Sequence, residues 1–393
     1  MRGLILVALF ALGLVTLLGL GLLSTSQSRE EVGQSLQVAA WLPTSWDGAR
    51  ARASFERNLG VLAEISPVWY QAQADGRLAP YEGARDRSLV ALAHAHGVKL
   101  LPTVDNSYGV GFDPGPVQAI LADPRLRAAH IQSILDEVTA HGYDGIDLDY
   151  EGLGAAERGL FASFVRDLAG ALHARGRLLS IAVHPKTAEP GGWSGAQAQD
   201  WRSLGEAVDR FRVMTYDFCW GGAGGGCESS WNEGRPPGPI APLWWVREVL
   251  DFAKTQVASA KIQMGVPFYG YDWLGAIAAG LTWEEAQAII ARFHAPVHWQ
   301  AEDGRGRPLG ESWFEYREGA DLHQVWFNDS RSIALKLELA EELGIGGIAI
   351  WRLGGEDPVN WEAISAAVRV TRASAAPPVS AACAFAEGLG AEP

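Results

Sequence analysis

Residues 143–151 have the sequence YDGIDLDYE, in which apolar and acidic side chains alternate. A period of two is typical of a β-strand, so Asp147, Asp149 and Glu151 are expected on one face of it. Three adjacent carboxyl groups cannot all stay ionised in a folded interior, because like charges raise each other's pKa. We therefore expect at least one of them to hold a proton near neutral pH, as a general acid does. The alternative is an acidic edge strand that faces solvent.

Strand-like and helix-like segments alternate on both sides of this stretch. The predicted strands are 37–42, 62–70, 98–104, the acidic strand from residue 143, 178–183, 211–216, 261–268 and 346–351. The predicted helices are 49–58, 86–96, 124–141, 155–174, 200–207, 241–257, 330–343 and 360–368. Eight strands, each followed by a helix, predict an α/β fold of the (β/α)8 TIM-barrel type. A doubly wound dinucleotide-binding sheet would have a glycine-rich first turn, and none follows Leu42.

One connection is far longer than the others. Residues 271–329 separate the seventh strand from its helix, where about 2 to 6 residues are usual. Within them, 282–293 has a helical pattern, and 297–299, 313–317 and 324–327 have strand patterns. We expect a small α+β insertion between strand 7 and helix 7, beside the mouth of the barrel, where it would form a wall for a long substrate.

The two ends of the chain differ from the barrel in composition. Residues 4–23 carry no charge and are long enough to span a bilayer. We expect residues 1–23 to be a membrane anchor or a cleaved signal peptide, with residues 24–36 as a linker. The barrel would occupy residues 37–371 and an Ala-, Pro- and Gly-rich disordered tail residues 372–393. The body would then lie outside the cytoplasm, tethered to the membrane only through its N-terminal segment, or secreted.

Charge and motif content exclude several functions. The net charge of −14 leaves no basic stripe for nucleic acid. No Cys-x-x-Cys or Gly-x-x-x-x-Gly-Lys pattern is present, so we expect no metal, nucleotide or other cofactor. Three cysteines do not make a disulfide framework, although Cys219 and Cys227 could close one small loop.

The Asp-x-x-Asp-x-Asp-x-Glu spacing of residues 144–151 resembles the signature of glycoside hydrolase family 18, the chitinase family. VMTYD at 213–217, GVPFYG at 265–270 and IAIWRLGGED at 348–357 resemble further strand ends of that family. The resemblance extends from residue 38 to about 370. TVDN at 103–106 departs from the Ser-x-Gly-Gly of many chitinases. ISPVWY at 65–70 and WFNDSRS at 326–332 resemble the spore cortex-lytic branch, whose peptidoglycan-binding modules are not found here.

The resemblance implies a retaining hydrolase that cleaves β-linked N-acetylglucosamine polysaccharide, either peptidoglycan or chitin. Glu151 would be the general acid, and the substrate's own 2-acetamido oxygen would be the nucleophile. Asp149 would orient the acetamido group, Asp147 would share a proton with Asp149, and Tyr216 would donate its hydroxyl to the acetamido oxygen. The protein would act as a monomer. The alternative is a carbohydrate-binding relative without turnover, which the presence of Glu151 disfavours.

Four further residues are predicted to bind substrate: Asp217, Trp351, Tyr269 and Trp69. Trp351 matches the tryptophan beneath the family's reactive sugar, and Trp69 also ends a predicted strand. The loop tryptophans Trp220, Trp231 and Trp273 could be sugar platforms or packing residues. Asp144 lies on the opposite face of the acidic strand, so we expect a structural role for it.

Overall fold

Eight parallel strands form a closed barrel in the computed structural model, which describes residues 36–109, 111–221 and 225–375. The first strand pairs in parallel with both the second and the last, which closes the sheet. The predicted TIM barrel is therefore confirmed. The barrel strands are β1 Gln37–Leu42, β2 Glu64–Ala72, β3 Thr103–Asp105, β4 Gly145–Asp149, β5 Leu178–Val183, β6 Arg210–Val213, β7 Ile262–Pro267 and β8 Gly347–Trp351.

Glycine permits the close strand packing at the start of β4. A Cβ atom on Gly145 would lie 2.1 Å from the Leu178 carbonyl oxygen of β5, so no other residue fits without moving the backbone. The strand then runs toward the carboxyl end of the barrel, where active sites of this fold are found. Its last residue, Asp149, lies in register with Asp105 of β3.

The third barrel strand is interrupted. Residues 98–104 were expected to form one strand, but the structure has Lys99–Leu100 and then β3, both paired with β2. Pro102 lies in the gap and has no N–H group to donate to a neighbouring strand. Its carbonyl still accepts a hydrogen bond from the Asp147 N–H at 3.0 Å, which ties the gap to β4.

Helices surround the barrel, and two of them begin at aspartate N-caps. Asp123 accepts a hydrogen bond from Arg125 N, and Asp329 accepts from Arg331 N and Ser332 N, as N-cap residues do. The helices are Gly48–Arg57, Arg87–Ala95, Gly115–Ala122, Pro124–His141, Arg158–His173, Ser194–Ala198, Trp201–Ala207, Leu243–Gln256, Trp283–Phe293, Ser330–Leu343 and Asn360–Ala375.

The predicted insertion folds as a helix and a five-stranded antiparallel sheet. Its strands are Gly270–Leu274, Ile277–Leu281, His298–Glu302, Pro308–Glu318 and Asp321–Phe327. The hydroxyl of Tyr271 reaches Asp217 after β6, and buried Glu311 accepts hydrogen bonds from the backbone N–H groups of Ile240 and Ala241. The insertion therefore packs against the loops at the carboxyl end of the barrel.

Predictions for the chain ends fall largely outside the described residues. The proposed anchor at 4–23 and the linker up to residue 35 are not described. No helix in the described part of the chain is long and apolar enough to cross a membrane. The last helix, Asn360–Ala375, extends past both its predicted end at 368 and the predicted start of the tail at 372.

Candidate active site

The innermost acid of the β4 stretch is fixed inside the barrel. Asp147 is fully buried, and its Oδ2 accepts hydrogen bonds from Trp41 Nε1 at 2.8 Å and from Thr103 Oγ1 at 3.0 Å. Its Oδ1 lies 3.0 Å from NH1 of Arg212, which is also fully buried. Trp41 and Thr103 therefore donate to Oδ2, whereas Oδ1 has no hydrogen-bond partner among the described residues and faces the Arg212 cation.

Asp149 has a different environment. Its Oδ1 is buried without a hydrogen-bond partner among the described residues. Burial raises the pKa of Asp149 well above its ordinary value, and the charges of Glu151, Asp147 and Asp105 raise it further. The predicted sharing of a proton between Asp147 and Asp149 stays a prediction.

Glu151 follows β4 and is held at its backbone by Asn106. The Asn106 amide donates to the Glu151 carbonyl and accepts from the Glu151 N–H, both at 2.9 Å. Burial, with the charges of Asp217 and Asp105, raises the pKa of the Glu151 carboxyl to about 8. A carboxyl group with this pKa is mostly protonated at pH 7, as a general acid must be.

A histidine also faces the Glu151 carboxyl. His184 Nε2 lies 3.7 Å from Glu151 Oε2, too far for a direct hydrogen bond. Burial and the charge of Lys186 lower the pKa of His184 to about 4, so its ring is neutral near pH 7. The ring of Trp193 packs on His184 at 4.5 Å between centroids, and 47% of Trp193 remains exposed.

Three tyrosines from two segments lie around Asp217, which directly follows Tyr216. Asp217 has a left-handed backbone with φ of 58°, a conformation that costs energy in a residue other than glycine. Its Oδ1 accepts hydrogen bonds from the hydroxyls of Tyr269 and Tyr271. Tyr216 packs edge-on against Tyr269 at 6.1 Å. Burial, followed by the charges of Asp149 and Asp217, raises the pKa of Tyr216, so its hydroxyl keeps its proton.

The two predicted strand-end tryptophans differ in exposure. Trp351 ends β8, is partly exposed and packs edge-on against Trp41, which holds Asp147. Trp69 is fully buried and packs against Tyr143 at 5.5 Å. The predicted substrate contact of Trp69 is therefore wrong, because a position near a strand end does not determine which side of the barrel wall the ring faces.

The three loop tryptophans also differ in how far they are buried. Trp273 is buried, and Trp231 donates to the Pro237 carbonyl. Trp220 keeps 37% of its surface exposed, on a short hairpin closed by the Cys219–Cys227 disulfide. Of these three, Trp220 alone has a large exposed surface.

Four residues around the acids were not recognised as site residues in the sequence: Asp105, Asn106, His184 and Arg212. Arg212 had a signal in the sequence, because it interrupts the apolar pattern of a predicted buried strand and a buried cation needs partners. The partners of the others lie tens of residues away in the chain. In the part of the chain that the structure describes, no group of three or more His, Cys, Asp or Glu residues could hold a metal ion.

Asp144 has structural contacts. Its Oδ2 accepts a hydrogen bond from the Leu100 N–H and lies 2.9 Å from His94 Nε2. These contacts connect the start of β4 to the segment before β3, away from the other three acids. The predicted structural role of Asp144 agrees with this position.

Known proteins share both the sequence and the architecture. The cortical fragment-lytic enzyme of Bacillus subtilis is 30% identical over 311 residues, which cover 77% of this chain and 67% of that protein. A chitinase structure from Chromobacterium violaceum has a TM-score of 0.75 and 26% identity, covering 85% of this chain and 99% of that one. The Bacillus cereus spore cortex-lytic enzyme SleL has a TM-score of 0.73 and 27% identity, covering 85% and 74%.

The family assignment rests on most of the barrel as well as on the acidic strand. Residues 87–356 match the family model described as glycosyl hydrolases family 18. This range contains six of the eight barrel strands in full, the insertion and every acid discussed above. The chain belongs to glycoside hydrolase family 18 and is a glycosidase.

Proposed function

We propose that the protein is a retaining glycosidase that cleaves β-linked N-acetylglucosamine polysaccharide with the substrate's acetamido oxygen as nucleophile. The observation that carries this proposal is the Glu151 carboxyl, whose pKa of about 8 keeps it protonated at neutral pH at the carboxyl end of the barrel. Glycoside hydrolysis needs a proton for the leaving oxygen, and Glu151 would supply it.

Two neighbouring residues would handle the acetamido group. The raised pKa of Tyr216 keeps its hydroxyl protonated, so it can donate to the acetamido oxygen. Asp149 lies two residues before Glu151, and its buried Oδ1 has no hydrogen-bond partner among the described residues. That oxygen is free to accept from the acetamido N–H, and a carboxylate there would stabilise the positive oxazolinium intermediate.

Aromatic and polar residues around the mouth would hold the sugar chain. Trp351 offers a partly exposed indole ring beneath the site. Asp217 accepts hydrogen bonds from the hydroxyls of Tyr269 and Tyr271. Trp193 and Trp220 present exposed faces on two other loops. Sugar rings stack readily on such faces, because an aromatic ring buries apolar area without requiring a specific hydrogen bond. The insertion adds Tyr271 to the same side.

The names of the similar proteins suggest the substrate class. One relative is named as a cortical fragment-lytic enzyme and one structure as a chitinase. Peptidoglycan and chitin both contain β-linked N-acetylglucosamine, so a site built around the acetamido group suits either. We therefore propose the shared chemical group, not one of the two polymers, as the determinant of recognition.

The test is product analysis on chitin oligomers, purified peptidoglycan and fully deacetylated glucosamine oligomers. We expect cleavage of at least one acetylated polymer with the β-configuration retained at the new reducing end, and no cleavage of the deacetylated oligomers. Equal cleavage of acetylated and deacetylated substrates would refute the acetamido mechanism. Binding of acetylated polymers without products would support the alternative, a carbohydrate-binding protein that has lost turnover.

We also propose that the body of the protein is exported and tethered by residues 4–23, which carry no charge. The supporting observation is the length of this uncharged run. Cell fractionation with an antibody to the barrel tests it. We expect the protein in the membrane fraction and digestible by protease added outside the cytoplasm. Recovery in the cytosol would contradict export, and a mature form in the medium would contradict the tether.

A further inference from the structure

A histidine with no role in the proposed acetamido chemistry lies beside Glu151. His184 is the first residue after β5, and its side chain is buried. Its Nε2 has no hydrogen-bond partner among the described residues and lies 3.7 Å from Glu151 Oε2. Buried polar atoms in proteins are nearly always hydrogen-bonded. The nitrogen therefore marks a position where a hydrogen-bonding group of a ligand is expected.

The gap between His184 and Glu151 fits one oxygen atom. Two polar atoms 3.7 Å apart are too far for a direct hydrogen bond, but both can lie about 2.8 Å from a third atom. A hydroxyl group can donate to one neighbour while it accepts from the other. A sugar hydroxyl would therefore connect the imidazole nitrogen to the carboxyl group.

The Trp193 ring is supported by His184 and by a glycine. The rings of Trp193 and His184 pack with their centroids 4.5 Å apart. A Cβ atom on Gly195 would lie 2.1 Å from Cζ3 of the Trp193 ring, so the indole occupies space that another side chain would need. Even so, 47% of Trp193 is exposed. A supported indole with an open surface can stack on the apolar face of a sugar ring.

A buried lysine fixes the loop that carries Trp193. The Lys186 side chain is 1% exposed, and its Nζ pairs with Glu189 at 3.0 Å and donates to the Gln199 carbonyl. A buried charge is stable only when it is paired and hydrogen-bonded, so these contacts hold the loop together. Gln199 also accepts from the His184 N–H at 2.7 Å. The loop therefore orders both rings before a ligand binds, which lowers the entropy cost of binding.

The strand order separates this pair from Trp351. β5 is the neighbour of β4, which leads to Glu151, whereas β8 with Trp351 lies between β7 and β1. Trp351 would lie beneath the sugar that reacts, and Glu151 would protonate the oxygen that leaves it. The departing half of the substrate would then extend past Glu151, away from Trp351 and toward β5.

We propose that His184 and Trp193 bind the leaving sugar, with the Trp193 ring stacked on its apolar face and His184 Nε2 holding one of its hydroxyls beside Glu151. This inference rests on the function proposed above and adds the residues that recognise the departing half of the chain. The ligand is a neutral sugar ring, because the pair offers an aromatic face and one uncharged nitrogen.

The test compares hydrolysis of a chitin tetramer with hydrolysis of the oxazoline of the chitin dimer. The oxazoline contains the reacting centre but no leaving sugar. We expect His184→Ala and Trp193→Ala each to raise KM for the tetramer about tenfold with kcat retained, because each removes ground-state binding. Oxazoline hydrolysis should stay at the wild-type rate, which also shows that the variants are folded. An unchanged KM for the tetramer in either variant would overturn the proposal.

A role of His184 in positioning Glu151 predicts a different result. Glu151 would act on both substrates, so His184→Ala would then lower kcat for the tetramer and for the oxazoline alike. That outcome would contradict the binding role.

The stacking role of Trp193 has two further tests. Gly195→Ala displaces the indole without removing it, so KM for the tetramer alone should rise. Trp193→Tyr keeps an aromatic face and should retain most of the affinity. A Trp193→Tyr variant as weak as Trp193→Ala would contradict stacking, and so would a normal KM in Gly195→Ala.

Trp46→Ala is the matched control. Trp46 is 43% exposed after β1, and its neighbour Asp47 pairs with Arg352, which directly follows Trp351. A tryptophan on the Trp351 side should affect both substrates alike or neither. A rise in KM for the tetramer alone would contradict the assignment of the leaving sugar to the β5 side.

Calorimetry separates this inference from the proposed function. Binding of the tetramer is measured in Glu151→Gln and in the same variant carrying Trp193→Ala. A wild-type protein that hydrolyses neither substrate would refute the proposed function. Weaker tetramer binding in the double variant would still support the sugar contact of Trp193, and unchanged binding would refute it.

Discussion

The raised pKa of Glu151 predicts the alkaline limit of activity. Only the protonated carboxyl can donate to the leaving oxygen, so kcat/KM should fall as pH rises through about 8. With a pKa of about 8, roughly 91% of Glu151 is protonated at pH 7 and roughly 9% at pH 9, so kcat/KM should drop about tenfold between them. Initial rates on a soluble chitin oligomer from pH 5 to pH 10 measure this limit.

The pKa of the Glu151 carboxyl also depends on Asp105, a neighbour that has no predicted contact with substrate. Asp105 is buried, and its charge is one of two that raise the pKa of Glu151. Asp105→Asn removes that charge while keeping the size of the side chain, so the alkaline limit should move to lower pH. Asp136→Asn, on the surface of the helix Pro124–His141, is the matched control and should leave the limit unchanged. A limit near the ordinary pKa of glutamate, or an upward shift in Asp105→Asn, would refute this reasoning.

Three further predictions concern single contacts. Asn106→Ala removes both hydrogen bonds to the Glu151 backbone, so kcat in steady-state kinetics should fall about tenfold with less change in KM. An unchanged kcat would exclude a positioning role for Asn106. Asp144→Asn weakens the contacts to Leu100 and His94, so the free energy of unfolding in urea should fall by about 1 kcal/mol while activity is retained. Loss of turnover in a folded variant would contradict the structural role of Asp144. A thiazoline analogue of the oxazolinium ion should compete more strongly than N-acetylglucosamine in inhibition assays; equal inhibition constants would argue against the acetamido nucleophile.

Periodicity and capping residues predicted much of the fold. The bounds of β1, β5 and the helices Pro124–His141 and Ser330–Leu343 agree with the prediction, because short apolar runs mark the two strands and cap residues mark the two helices. The hairpin strands Gly270–Leu274 and Ile277–Leu281 were missed. Both are short, and Ile277–Leu281 is rich in glycine and alanine; they pair with each other, and Gly270–Leu274 also pairs with Asp321–Phe327.

The acids were predictable because they lie in one stretch of nine residues, 143–151. Their hydrogen-bond and ion-pair partners are distant in sequence. Asn106 reaches Glu151 across 45 residues, and Arg212 reaches Glu64 across 148. Only the closed barrel brings such residues together. The error at Trp69 has a related cause, since a bulge between Val68 and Tyr70 in the pairing with β3 interrupts the regular alternation there.

Turnover by Glu151→Gln tests the central claim most directly. The substitution keeps the shape of the side chain and removes its acidic proton, so kcat on the acetylated polymer that the wild type cleaves should fall by about 10²- to 10⁴-fold. Binding of that polymer, measured by calorimetry, should persist. Glu284→Gln, an exposed glutamate on the insertion, is the control and should retain wild-type turnover. Wild-type hydrolysis by Glu151→Gln would contradict the account.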